Sequence, residues 1–170
     1  MAKPYFAFTF FLILLAVAAC EQAGDPRIMV TDAWAPATAS GATTHLGDVA
    51  KMQQEEAVVY FNLKNTGAGH DKLIAASTYE AGSVVLANGD SEVVEFIEIK
   101  KREAVSLKPG DLHVMLLDMR GLLVKGQWLT LTLQFEKSPE LIVRVPIMPP
   151  DKVPSVQEIK DAARSAGKGR

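Results

Sequence analysis

The chain has 170 residues, with 18 Lys+Arg against 20 Asp+Glu, a formal net charge of −2 and 48% hydrophobic residues. That balance, with one basic trio at Lys100-Lys101-Arg102, excludes nucleic-acid binding driven by phosphate neutralisation; the trio reads as a solvated turn or edge. Cys20 is the only Cys, which excludes an intramolecular disulfide.

In chain order, residues 1–19 carry one early cation, Lys3, and then a largely apolar run from Tyr5 to Ala19 ending in Val17-Ala18-Ala19 directly before Cys20. Small residues at the end of a short apolar run are the layout of a secretory signal peptide, and the run is too short and wrongly flanked for a membrane span. The arrangement resembles a bacterial lipobox, which implies cleavage before Cys20 and acylation of its thiol. The lipid bilayer is then a partner, and the thiol is not available as nucleophile or ligand. An uncleaved anchor, or an ordinary signal peptide with a chance Cys, is the alternative. Glu21 after the Cys implies the outer membrane by the sorting rule of this class. Residues 20–26 should be a lipidated tether, 27–149 one domain with a proper core, and 150–170 a polar tail.

From Arg27 onward the apolar period is two, the period of a β-strand. Strands are expected at Arg27–Trp34, Ala57–Leu63, Lys72–Ala76, Ser83–Leu86, Glu92–Ile99, Ala104–Leu107, Leu112–Met119, Trp128–Phe135 and Leu141–Pro146, separated by turn signals such as Asn65-Thr-Gly-Ala-Gly69, Ala87-Asn-Gly-Asp90 and Lys108-Pro-Gly-Asp111. In Trp128–Phe135, Leu129, Leu131, Leu133 and Phe135 should face inward and share a core with Trp34, Tyr60 or Phe61. Short strands at this spacing predict an all-β, antiparallel β-sandwich. Between Ser40 and Glu56 a short helix or ordered loop is expected. A capping box at Ser155-Val-Gln-Glu158 opens a short helix that frays into the polar tail.

The most informative segment is Lys108-Pro-Gly-Asp-Leu-His-Val-Met-Leu-Leu-Asp-Met119. Strand alternation places His113, Met115, Leu117 and Met119 on one face and Leu112, Val114, Leu116 and Asp118 on the other. Residues two apart on a strand are roughly 6.6 Å apart, close enough for an imidazole and a thioether to converge on one ion. Such a donor pair favours Cu(I) over Mg²⁺ or Ca²⁺. The competing reading is a Met that fills a core gap beside a hydrogen-bonded His.

Asp32-Ala-Trp-Ala-Pro36, Ala57 to Gly67 with Asp71 to Ser77, Leu107 to Met119 and Leu131 to Lys137 together resemble the PCuAC family of periplasmic copper chaperones, in the right order over most of Ile28–Ile147. The resemblance implies a cupredoxin-like β-sandwich, Cu(I) as the bound metal, a periplasmic location, and a copper-accepting envelope protein as partner in assembly of the CuA centre of cytochrome c oxidase. The family's motif is His-x10-Met-x21-His-x-Met. His113 and Met115 match its last half; Ser91 occupies the place of the preceding Met, and an ungapped count puts Glu80 at the first His. Where the family has a long hairpin, this chain reads Val84-Val-Leu-Ala87 and then Asn88-Gly89, and no His or Met lies between His70 and His113. Substitute ligands could come from Met119, or from His45 and Met52, which would share a face of a helix. His70, in a Gly-rich turn, reads as a solvated surface residue.

Nothing in the sequence suggests an enzyme: no nucleophile stands at a spacing that implies a base and an orienting group. Glu92, Glu95 and Glu98 read as the solvated side of a strand. Two functions remain, a lipid-anchored Cu(I)-binding metallochaperone using His113 and Met115, and a cupredoxin-like lipoprotein that has lost the metal and serves as a protein-interaction module in the envelope.

Overall fold

The computed structural model describes residues 24–38 and 56–150 and, beyond them, residues 157, 158, 161 and 164. Cys20, His45, Met52, the apolar leader and nearly all of the segment from Ser40 to Glu56 lie outside the described residues.

Ten strands follow one another: β1 (Ile28–Pro36), β2 (Glu56–Asn65), β3 (Asp71–Ser77), β4 (Ala81–Ala87), β5 (Val93–Val94), β6 (Ile97–Ile99), β7 (Ala104–Leu107), β8 (His113–Met119), β9 (Trp128–Phe135) and β10 (Leu141–Met148). They hydrogen-bond in the order β5-β4-β8-β2-β1-β10-β9-β3-β6, with β7 also on β2. Every described pairing is antiparallel except β1 with β10, which run parallel for two residue pairs, Ala35 with Ile147 and Pro36 with Met148. The expected strand Glu92–Ile99 is split. β5 pairs with β4 and β6 with β3, so the chain passes from one end of the strand path to the other at Glu95 and Phe96, giving a barrel-like sandwich.

The alternation in β9 sets the core. Leu129, Leu131 and Leu133 have no exposed surface and Phe135 is buried, while Thr130 and Gln134 face solvent. They meet Phe61, Leu63, Leu73, Leu107, Leu116 and Val145 in one cluster, and each such side chain taken out of water contributes about 1.5–3 kcal/mol. Of the three candidate aromatic residues, Phe61 supplies the one expected in this cluster. Trp34 and Tyr60 stack on each other instead, ring centroids 4.9 Å apart.

Asp32 causes this. Its φ is +54°, and the β1–β2 register shifts by one between Thr31 and Trp34: a β-bulge, whose extra residue reverses which side chains face inward. Before it Ile28 and Val30 pack on the core; after it Ala33, Ala35 and Ala37 do. The Asp32 carboxylate accepts hydrogen bonds from Thr31 Oγ1 at 3.1 Å and Asn62 Nδ2 at 3.0 Å. Asp tolerates the left-handed region better than most residues because its short polar side chain bonds locally.

The amide of Asn65 ties the β2–β3 loop to the start of the chain. It accepts from the N–H of Arg27 (3.1 Å) and Gly67 (2.9 Å) and donates to the Gly69 carbonyl (2.7 Å). Gly67 and Gly69 press directly on the backbone of Gly24 and Asp25: an added Cβ would lie 2.3 Å from the Asp25 oxygen and 2.0 Å from the Gly24 oxygen. The run expected as a free tether is therefore laid against the barrel from Gly24 onward. Residues 157, 158, 161 and 164 are helical, and Gln157 donates to Asp161 one turn on, at 2.9 Å, in accord with the helix expected after the capping box.

Candidate metal-binding face

β8 opens at His113 directly after the tight turn Lys108–Asp111, in which the Asp111 N–H donates to the Lys108 carbonyl at 3.1 Å. The His113 ring is 7% exposed, and its Nδ1 lies 2.8 Å from the Asp111 carbonyl oxygen. A carbonyl only accepts, so Nδ1 carries a proton, and in the neutral ring the lone pair is then on Nε2, the tautomer a metal ligand needs.

The alternation around it follows the sequence as far as Leu117. Val114 and Leu116 have no exposed surface and belong to the core, whereas Met115, half-buried, lies on the outer face between Val58 of β2 and Val85 of β4. His113 stands beside Ala87. Tyr60, two residues along β2 from Val58, brings its ring to 6.3 Å from the His113 ring. His113 and Met115 are thus the two soft donors of this face, with aliphatic and aromatic side chains beside them and Glu56 and Ser83 one step further along, at Leu117.

Met119 does not join them. Asp118 has φ +53° and is exposed; the alternation slips there, and Met119 packs against the core opposite Ala81. The expectation that Met119 shares the face of His113 and Met115 is corrected by this one residue. Gly82, across from the kink, is constrained by it, since an added Cβ would lie 2.8 Å from the Asp118 Cβ.

His70 is exposed in the β2–β3 loop, where its carbonyl accepts from Lys137 Nζ at 3.1 Å. Glu80 lies in the turn before β4 and its carboxylate accepts from Thr78 Oγ1. Ser91, with φ +61°, belongs to a tight turn in which Asn88 Oδ1 accepts from the N–H groups of Asp90 (3.0 Å) and Glu92 (2.9 Å). That compact turn stands where the resemblance implies a long hairpin. Glu92, Glu95 and Glu98 are exposed, as expected of a solvated face. Among the described residues no three His, Cys, Asp or Glu gather into a metal cluster. Burial raises the pKa of the Tyr60 phenol. One imidazole and one thioether are donors that suit a soft ion rather than a hard one.

Trp34 and Tyr60 are the residues of this face that sequence reasoning missed. The alternation of β1 places Trp34 inward, and the one clue to the contrary is Asp32 in mid-strand.

The family model described as "Putative lipoprotein LpqE-like" matches residues 28–147. A relative from Leifsonia xyli subsp. xyli, named "Putative lipoprotein Lxx21020", is 30% identical over 128 residues, 71% of this chain and 69% of the relative. Among solved structures, the apo PCuAC domain from PmoF1 is 27% identical with a TM-score of 0.60, covering 72% of this chain and 94% of that domain. The copper-bound PCuAC domain from PmoF2 is 24% identical with a TM-score of 0.59, covering 72% and 93%. The Cu(I) form of DR1885 from Deinococcus radiodurans is 21% identical with a TM-score of 0.55, covering 81% and 88%. The last two show a shared fold. With its matched segment running from the start of β1 into β10, the chain belongs to the LpqE-like lipoprotein family, as a divergent member of the PCuAC, cupredoxin-like fold.

Proposed function

We propose that this chain is a lipid-anchored envelope protein that binds Cu(I) through His113 Nε2 and the Met115 thioether and passes it to a copper-accepting envelope protein. The observation that carries this is the locked tautomer: the Asp111 carbonyl holds the Nδ1 proton, leaving Nε2 free for a metal on the face that also carries Met115. Two soft donors leave an ion under-coordinated. That lowers affinity and keeps positions open for an acceptor's own imidazole or thioether, so transfer proceeds by ligand exchange. Assembly of the CuA centre is the destination implied by the likeness to PCuAC chaperones. Acylation of Cys20 supplies the anchor, in the periplasm and, from Glu21, at the outer membrane. His45 and Met52 are proposed as further ligands, to be tested by substitution.

The purified protein should bind about one equivalent of Cu(I) under reducing conditions, more weakly than a relative with the complete motif, and should not bind Zn²⁺ or Mg²⁺ comparably. His113→Ala and Met115→Ala should each lower Cu(I) affinity by at least about tenfold, or 1.4 kcal/mol. Binding that survives His113→Ala unchanged, or none against a moderate Cu(I) chelator, overturns this reading. A second reading then takes its place, a metal-free interaction module, which the occupation of two ligand positions by Ser91 and Glu80 favours.

A further inference from the structure

β1 contains an expensive-looking choice. Its φ +54° residue, Asp32, places Ala33 and Ala35 in the core and turns the larger Trp34 onto the outer face. There Trp34 remains 7% exposed, its ring 4.9 Å from that of Tyr60 and tilted by 40°. Tyr60 in turn meets His113 at 6.3 Å and 57°, within the range of tilted aromatic contacts. Indole, phenol and imidazole thus form one row across β1, β2 and β8. Val58, Met115 and Val85 form the adjacent row.

We propose that Tyr60, backed by Trp34, is a positioning residue of the copper site: its ring fixes the His113 imidazole and walls the ion from water, so that a two-donor site selects Cu(I) over Cu(II). The inference rests on the copper reading above. Two constraints act on His113, the Asp111 carbonyl on Nδ1 and the Tyr60 ring beside it, and together they define the direction of Nε2. Cu(II) favours a tetragonal set of N and O ligands, whereas Cu(I) accepts few, soft ones. A site with two protein donors can meet the demand of Cu(II) only by recruiting water. A shell of Trp34, Tyr60, Val58 and Val85 obstructs that recruitment, and hydrophobic shells control solvent access and redox preference at metal sites in this way.

The test uses the purified full chain. Cu(I) affinity is measured anaerobically by competition with bathocuproine disulfonate, and Cu(II) affinity by competition with nitrilotriacetate. Tyr60→Ala should lower the ratio of Cu(I) to Cu(II) affinity by about tenfold, the scale of effects seen when groups supporting a ligand are removed. Tyr60→Phe should preserve the ratio, because the ring and not the hydroxyl forms the wall. If Tyr60→Ala fails to fold, Trp34→Leu, which withdraws the support and leaves Tyr60, should lower the ratio in the same direction. In a Trp128→Phe background, which leaves Trp34 as the one indole, Cu(I) should quench the emission, and His113→Ala should abolish the quenching. A folded Tyr60→Ala or Trp34→Leu protein with an unchanged ratio overturns the inference while the copper reading stands, as does a Tyr60→Phe protein that loses as much as Tyr60→Ala. Failure of the unaltered chain to take up Cu(I) overturns both.

Discussion

Asp71 is a carboxylate with 1% of its surface exposed, at the start of β3. It accepts hydrogen bonds from the N–H groups of Lys72 (2.8 Å), Lys137 (3.0 Å) and Ser138 (3.0 Å), pinning the β9–β10 connection to β3. Desolvation pushes its pKa up, but the hydrogen bonds outweigh it and the net shift is downward from 3.8. The lowering comes first from the enclosed Ser138 hydroxyl, which lies close by without a well-formed hydrogen bond, and then from the three backbone donors. A lowered folded-state pKa means that the ionised form stabilises the fold above the unfolded-state value, and that this stabilisation is lost as pH falls through the folded-state value. Asp71→Asn should therefore cost about 1–3 kcal/mol at pH 7. The gap to the unaltered protein should narrow in urea titrations below about pH 4. Parallel stability curves down to pH 2.5 would show that the charge on Asp71 contributes nothing.

Most strands were readable from alternation because their two faces differ: Leu129, Leu131, Leu133 and Phe135 lie in the core and Thr130 and Gln134 in solvent, as the pattern of β9 demands. His113 and Met115 were readable as one face for the same reason. The misplacements trace to two aspartates, Asp32 and Asp118, each at a φ near +54° or +53°. A single left-handed residue reverses the side-chain alternation beyond it, and Asp in mid-strand is only a weak signal of one. Met119 was thereby expected beside His113, and the outward turn of Trp34, which is nonetheless buried, carried no signal. The split between β5 and β6 was hidden for another reason, since Val93, Val94, Ile97 and Ile99 are all apolar and periodicity does not show where the chain changes sheets. The role of Asp32 is testable at the element level. Gly occupies the left-handed region freely, whereas a β-branched residue there is strained. Asp32→Val should lower stability by about 2 kcal/mol, and Asp32→Gly should stay within about 0.5–1 kcal/mol, losing chiefly the partly exposed bond to Asn62. Equal losses for the two variants, measured by urea unfolding, would remove backbone conformation as the reason for Asp32.

At the scale of the whole molecule, the start of the barrel bears on how it is held. Gly24 already lies against Ala68 and Gly69, so the body of the protein begins four residues after Cys20. A fully extended chain gains at most about 3.6 Å per residue, so an acylated Cys20 would keep Gly24 within about 14 Å of the acyl attachment. No helix among the described residues is long and apolar enough to cross a membrane; the proposed attachment is through acyl chains on Cys20. Each buried methylene of an acyl chain contributes about 0.8 kcal/mol, so two or three long chains would hold the protein on a bilayer effectively without release. On so short a leash an acylated Cys20 would set the loop Asn65–Asp71 and its neighbour at Lys137 toward the headgroups. His113, level with Tyr60 and five residues along β2 from Asn65, would then stand about 17 Å farther out on the side of the barrel. Cys20→Ser should move the protein from the membrane fraction to the soluble fraction and abolish lipid labelling while leaving Cu(I) affinity unchanged. Intact-mass analysis of the unaltered protein should show an acylated Cys20 at the N-terminus. A free Cys20 thiol, or a retained Met1, would show that the chain is held in some other way.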